Sequence, residues 1–129
     1  MDTIQKKILI IDDDEMILKS LVSLFEMENF VVYHAHDGEQ GLKQAIDKKP
    51  DVVVTDIEMK NMSGINVLHE IRKQGDWGHS LPVVIFSNFD GDKETLDSIK
   101  SDKPSLFLKK SEVNAREILI KVKELLNEN

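Results

Sequence analysis

The sequence contains no cysteine, which excludes both a disulfide framework and a metal site built on cysteine. A chain without cysteine fits a reducing compartment. Positive charge is also scarce: the chain has 17 Lys and Arg residues but 24 Asp and Glu residues, which gives a formal net charge of −7 at pH 7. Non-specific binding to nucleic acid needs clustered basic residues, so this charge argues against it.

Long apolar runs are missing as well. No stretch approaches the roughly 20 residues of a membrane-spanning helix, and Asp12, Asp13 and Asp14 end the first apolar stretch too early for a secretory signal. The 40% hydrophobic and 32% charged residues are typical of a folded globular protein. We therefore expect one acidic domain over residues 1–129, without an output domain, that lies in the cytoplasm and binds neither nucleic acid nor membrane.

Short apolar runs alternate along the chain with segments of helical period. Three runs are continuous, at 8–11 (ILII), 52–54 (VVV) and 83–86 (VVIF), as expected of strands covered on both faces. The runs at 30–35 and 106–108 are more mixed, which suits the edges of a sheet. The alternation predicts βαβ units around a parallel sheet.

Five helices are predicted between and after these runs. The first spans about residues 14–28, with Asp14 as its N-cap. Apolar residues at helical spacing mark the other four, around Leu42, Leu68, Leu96 and Ile118. The predicted fold is α/β, a (βα)₅ doubly wound parallel sheet of five strands. In such sheets, ligands bind at the carboxyl ends of the strands.

Three aspartates follow two of the predicted strands. Asp12 and Asp13 end the first strand and Asp56 ends the third, with no lysine between Lys7 and Lys19 to neutralise the first pair. Carboxylates that meet at one sheet edge repel each other, and a hard divalent cation relieves the repulsion. Mg²⁺ suits a site of one or two carboxylates completed by waters and a phosphate oxygen.

Two further strands end in groups that can contact a phosphate. The fourth ends in Ser87, a hydroxyl, and the fifth ends in Lys109 and Lys110, which bring positive charge. Carboxylates, a metal, a hydroxyl and an ammonium group at one edge are what the transfer of a phosphoryl group to a carboxylate oxygen requires.

Four segments, ILIIDDDEMI, VVVTDIEMKNMSG, LPVVIFSN and LFLKKSE, resemble in order and spacing the receiver domain of two-component response regulators. The resemblance covers nearly the whole chain. It implies a flavodoxin-like sheet with strand order 2-1-3-4-5.

The resemblance also implies roles for single residues. Asp56 is expected to be the phosphoryl acceptor and Asp13 a direct Mg²⁺ ligand. Asp12 is expected to act on the metal mainly through water, and the backbone carbonyl of Glu58 to be a further ligand.

Three more residues match the site lysine and the two switch positions of the family. Ser87 is expected to bind the phosphoryl oxygens and to move towards them after transfer. Lys110 fits the site lysine better than Lys109, because Phe107 then falls at the aromatic switch position.

Three positions depart from the family pattern. Lys60 and Ser111 each stand where proline is common, and Asn88 replaces a small residue after the switch hydroxyl. Family members often hold the bond before that second proline cis, which would cost a non-proline residue about 3–4 kcal/mol.

The function that the resemblance implies is that of a stand-alone receiver, not an enzyme. A histidine kinase or phosphotransfer protein would donate the phosphoryl group. The face of the fourth predicted helix, the fifth strand and the fifth predicted helix would then bind a downstream protein, and a dimer that forms on phosphorylation fits the same scheme. A pseudo-receiver that never accepts phosphate remains an alternative. So does an aspartate-nucleophile phosphohydrolase with Glu58 as general acid.

Overall fold

The computed structural model describes residues 5–127, which form five strands and six helices. The strands are β1 (Lys7–Ile11), β2 (Val31–Ala35), β3 (Val52–Thr55), β4 (Val83–Ser87) and β5 (Leu106–Lys109). The helices are α1 (Glu15–Met27), α2 (Gly38–Lys48), α3 (Gly64–Arg72), α4 (Gly75–Ser80), α5 (Lys93–Ser101) and α6 (Ala115–Leu125). None of the described helices is both long enough and apolar enough to cross a bilayer.

All strand pairs are parallel, and the order across the sheet is β2-β1-β3-β4-β5. The predicted doubly wound α/β fold and the strand order implied by the resemblance are therefore confirmed. The strands β1 and β3 are neighbours, with Ile11 opposite Thr55, so the residues that follow these two strands meet at one edge of the sheet.

The continuous apolar strands are buried because helices cover both faces of the sheet. Alternate residues of β1 point to opposite faces, so Ile8 belongs to the apolar cluster that includes residues of α1 and α6, while Leu9 belongs to the cluster that includes residues of α2, α3 and α5. Both side chains are fully buried. Two apolar layers thus hold the sheet, and its carboxyl edge is left for polar groups.

The helix α1 begins as predicted, since the Asp14 side chain accepts hydrogen bonds from the backbone N–H groups of Met16 and Ile17. Each of the helices α2, α3, α5 and α6 also has a side-chain N-cap, namely Asp37, Ser63, Asp92 and Asn114. The cap at Asp92 starts the helix that the apolar pattern supported least.

The prediction of five helices was wrong by one, because a sixth helix, α4, lies between α3 and β4. Its sequence GDWGHS has no apolar period, and tertiary contacts hold it. The Trp77 indole N–H donates to the carbonyl oxygen of Pro50 at 3.2 Å, with the Lys49 ammonium 4.5 Å from the ring centre. Arg72 donates to the carbonyl oxygens of Gly78 and Leu81.

Candidate functional site

The three predicted aspartates lie together at the carboxyl edge of the sheet. Asp12 follows β1 and is 2% exposed, and Asp56 follows β3 and is 7% exposed. A carboxylate oxygen from each of these residues and from the exposed Asp13 lie within 4.8 Å of one another. At such distances unscreened carboxylates repel strongly, so the cluster needs a positive charge.

Lys110 supplies a positive charge to this cluster. Its Nζ lies 2.8 Å from Asp12 Oδ2 and 2.9 Å from Asp56 Oδ2, and its side chain is 13% exposed. Lys109 points elsewhere, because its ammonium pairs with Asp90 Oδ1 at 2.7 Å. Of the two adjacent lysines, Lys110 is the one that bridges the carboxylates.

Burial and charge pairing oppose each other in this cluster. Burial raises the pKa of Asp12, and hydrogen bonds from Lys110 and the Asp14 amide offset only part of that effect. For Lys110, burial alone would lower the pKa, but the hydrogen bonds to Asp12 and Asp56 outweigh it, so the pKa of Lys110 is raised. The ammonium is therefore charged at neutral pH.

Backbone N–H groups hold the remaining oxygens of the two buried carboxylates. Ile57 N–H donates to Asp56 Oδ1 at 2.7 Å, and Asp14 N–H donates to Asp12 Oδ1 at 2.9 Å. Side-chain patterns in a sequence cannot reveal such donors, because every residue except proline has one. Each buried carboxylate is thus oriented by one amide and by Lys110.

Ser87 is the last residue of β4 and is 2% exposed. Its Oγ accepts a hydrogen bond from the Phe89 backbone N–H at 3.1 Å. A hydroxyl has one proton to donate besides the lone pairs that accept, so Ser87 can still donate to an incoming oxygen.

Phe107 lies on the edge strand β5 and is 38% exposed. Together with Leu96 and Ile99 of α5, it lines a surface cavity of about 390 Å³. Phe107, the residue expected at the aromatic switch position, is therefore partly exposed in this structure, beside a cavity between α5 and β5.

Asp13, Glu58 and Lys60 line a second surface hollow, of about 520 Å³, next to the cluster. The side chains of all three are exposed. Lys60 thus adds a positive charge at the entrance to the site. No described peptide bond is cis, so the bond between Lys110 and Ser111 is trans.

Gly64 holds the loop that carries Asp56 against the start of α3. Its N–H donates to the carbonyl oxygen of Ile57 at 2.8 Å, and a Cβ at Gly64 would collide with the Asp56 carbonyl oxygen. We expect Gly64→Ala to lower the free energy of unfolding by about 2–3 kcal/mol, because a backbone oxygen cannot move aside as a side chain can. Urea unfolding measures this.

The control for that experiment is Asn66→Ala, at an exposed position of the same helix. Its effect should stay within about 0.5 kcal/mol. Equal stability of Gly64→Ala and the wild type would show that this contact is not tight.

A family model described as the response regulator receiver domain matches residues 8–123. The chain belongs to this family. The resemblance found in the sequence is thereby confirmed. Response regulator receiver domains act in two-component signalling, in which they interact with histidine kinases and downstream effectors, and they bind Mg²⁺ at an acidic aspartate cluster.

Curated relatives of this receiver domain include transcriptional regulators. The transcriptional regulatory protein CpxR of Escherichia coli is 38% identical over 81 residues, which are 63% of this chain and 33% of the relative. The alkaline phosphatase synthesis transcriptional regulatory protein PhoP of Bacillus subtilis is 41% identical over 69 residues, 54% of this chain and 29% of the relative. The chain thus matches about a third of each relative.

Solved receiver domains match this chain over almost its whole length. A CheY-like response regulator receiver domain protein from Methanospirillum hungatei has 26% identity and a TM-score of 0.86, covering 96% of this chain and 95% of its own. The receiver domain of the Francisella response regulator 1452 has 29% identity and a TM-score of 0.80, with coverages of 94% and 96%.

Proposed function

We propose that this receiver domain accepts a phosphoryl group on Asp56 and relays that modification to a partner protein. The observation on which the proposal rests is the ammonium of Lys110 bridging Asp12 and Asp56, with Asp13 beside them. The Asp56 carboxylate is nearly closed off from solvent and lies next to two other carboxylates and one ammonium group. This environment suits an acceptor in phosphoryl transfer.

The oxygens of the cluster fit Mg²⁺. Every side-chain donor is a carboxylate oxygen, the type that hard divalent cations prefer, and Asp13 is open to solvent while Asp12 is buried. We propose that Asp13 binds the ion directly, that Asp12 acts mainly through water, and that Asp56 and the Glu58 carbonyl complete the protein's share. Bound there, Mg²⁺ would neutralise charge on the phosphoryl oxygens.

Asp56 Oδ2 is the oxygen that we propose to react, because the Ile57 amide holds Oδ1. A new bond forms between Oδ2 and phosphorus while the bond from phosphorus to the donor's leaving group breaks, and the leaving group takes the electron pair. Lys110 then pairs with a phosphoryl oxygen in place of the carboxylate. The preset positions of these groups lower the entropic cost of an in-line transfer.

The switch that follows would use Ser87 and Phe107. Ser87 would donate a hydrogen bond to a phosphoryl oxygen, and its movement would draw the β4–α5 loop inwards. The exposed Phe107 ring would then turn into the space that this movement releases. The face of α5, β5 and α6 would change shape and bind a downstream protein or a second copy of the domain. A histidine kinase or phosphotransfer protein would be the phosphodonor, and the cytoplasmic location remains a prediction.

The experiment that tests the proposal is intact-mass measurement after incubation with acetyl phosphate, with and without Mg²⁺. We expect the mass of one phosphoryl group to be gained only with Mg²⁺, because carboxylate repulsion would otherwise oppose the approach of a phosphate. A folded protein that gains nothing under either condition would instead be a pseudo-receiver. Sustained hydrolysis of p-nitrophenyl phosphate would indicate the phosphohydrolase.

A further inference from the structure

Two backbone amides next to the Lys110 side chain donate hydrogen bonds to the last residue of β4 and to the residue that follows it. The N–H of Lys110 itself donates to the Ser87 carbonyl oxygen at 3.2 Å. The N–H of Ser111 donates to the side-chain oxygen Oδ1 of Asn88 at 2.8 Å. The peptide units on both sides of the Lys110 Cα are therefore tied to the residues around the switch hydroxyl.

The second of these hydrogen bonds needs a side-chain acceptor at position 88 and a residue other than proline at position 111. A proline in place of Ser111 would have no N–H to donate, and a small apolar residue in place of Asn88 would have no oxygen to accept. The two departures from the family pattern, 23 positions apart in sequence, thus compensate each other in one contact.

The hydrogen bond between Ser111 and Asn88 affects Lys110 because the Lys110 side chain must reach two carboxylates at once. Its Nζ bridges two carboxylates at 2.8 and 2.9 Å, so a small rotation of the peptide after Lys110 would pull the ammonium from one of them. A residue that fixes this peptide also fixes the direction in which the side chain leaves the backbone.

We propose that Asn88 is a positioning residue for Lys110 in phosphoryl transfer, acting through the Ser111 amide. The inference rests on the proposed function, because it concerns the rate of phosphorylation at Asp56. Asn88 does for this chain what a conformationally restricted proline would do at position 111: it fixes the peptide that follows the site lysine.

A second link between the same two loops provides a matched control. Asp90 Oδ1 pairs with the Lys109 ammonium at 2.7 Å, and the Asp90 side chain is 77% exposed. This ion pair joins the loops through flexible side chains and does not touch the peptide after Lys110. Asp90→Ala therefore loosens the connection between the loops without freeing that peptide.

The experiment measures phosphorylation rates of the full chain with acetyl phosphate and saturating Mg²⁺. We expect Asn88→Ala to be about fivefold slower than wild type, the fold-change that corresponds to one ordinary hydrogen bond. Asn88→Asp keeps an acceptor oxygen and should stay within about twofold of wild type, as should Asp90→Ala. In a Ser111→Pro background, Asn88→Ala should change the rate by less than about twofold, because the donor is already gone.

A second readout follows the contact itself. Amide hydrogen exchange at Ser111 should be faster in Asn88→Ala than in wild type and unchanged in Asp90→Ala, with no phosphodonor present. Equal exchange at Ser111 in wild type and Asn88→Ala would overturn the positioning role alone. The positioning role would also be overturned if Asn88→Ala slowed phosphorylation by the same factor in the wild-type and Ser111→Pro backgrounds. It would be overturned as well if Asp90→Ala slowed phosphorylation as much as Asn88→Ala does. A wild type that takes up no phosphoryl group would overturn the proposed function and this role with it.

Discussion

We expect Asp56→Asn to abolish the uptake of a phosphoryl group from acetyl phosphate and to leave the fold intact. The substitution keeps the shape of the side chain and an oxygen that can accept from the Ile57 amide, but it replaces the reacting oxygen by a non-nucleophilic amide nitrogen. The loss should be complete, because the side chain supplies the atom to which the phosphorus is bonded. Intact mass after incubation with Mg²⁺ measures it.

The control for this variant is Asp51→Asn, which lies before the same strand at the opposite edge of the sheet. Asp51 Oδ2 accepts from the Lys7 backbone N–H, and asparagine can accept there as well. This variant should take up one phosphoryl group as the wild type does. If Asp56→Asn still gained a phosphoryl group, another residue would be the acceptor, and peptide mapping would identify it.

We expect Lys110→Met to slow phosphorylation about a hundredfold, the usual effect of removing one preset group that stabilises charge in a transition state. It should also lower the free energy of unfolding by about 3 kcal/mol, because Asp12 and Asp56 lose their shared counter-charge in a nearly closed site. The two effects are separable, since rates are measured at saturating Mg²⁺ and stability by urea unfolding without it.

Stability of the Lys110→Met variant should depend on pH in a direction that follows from Asp12. Burial already raises the pKa of Asp12, and removing Lys110 removes an influence that lowers it. A carboxyl whose folded pKa lies above its unfolded pKa binds more protons when folded, so stability rises as the pH falls through the folded pKa. The variant should therefore regain part of its lost stability as the pH is lowered through the raised pKa of Asp12, which urea unfolding at a series of pH values measures.

Lys109→Met is the matched control for both effects. The Lys109 ammonium pairs with the exposed Asp90, and an exposed ion pair contributes little to stability because water screens it. The rate should stay within about twofold of wild type, because Lys109 does not contact the carboxylates. A Lys110→Met variant that was as stable and as fast as Lys109→Met would remove Lys110 from the proposed site.

The strands and most helices could be predicted because their signals are local. Continuous apolar runs such as 52–54 are typical of strands covered on both faces, and the period around Ile118 is that of an amphipathic helix. The short helix α4 could not be predicted, since it is stabilised by the hydrogen bond of Trp77 to the Pro50 carbonyl oxygen and by that of the Arg72 side chain to the Gly78 carbonyl oxygen, neither of which an apolar pattern reveals. Strand order came from the resemblance, because periodicity says nothing about which strands are neighbours.

The aspartates and lysine of the candidate site could be found because they end strands that a parallel sheet brings to one edge. The hydrogen bonds and ion pairs of these residues could not be predicted from the sequence. The backbone amides of Asp14 and Ile57 have no signature in the sequence, and the bond between Asn88 and Ser111 joins two residues that the sequence presents as separate irregularities. Only the three-dimensional structure shows that Asn88 and Ser111 are hydrogen-bonded to each other.

The strand order has a consequence for how the chain folds. No two neighbouring strands form a hairpin: β1 pairs with β2 from Lys7 to Val31, with an intervening helix, and with β3 from Ile8 to Val52. Every strand pair therefore closes a long loop before it gains its hydrogen bonds, which raises the entropic barrier. Folding should be slower than for a helical bundle of this length. Because β1 lies between β2 and β3, its backbone hydrogen bonds on one side cannot form until β3 has been added to the sheet.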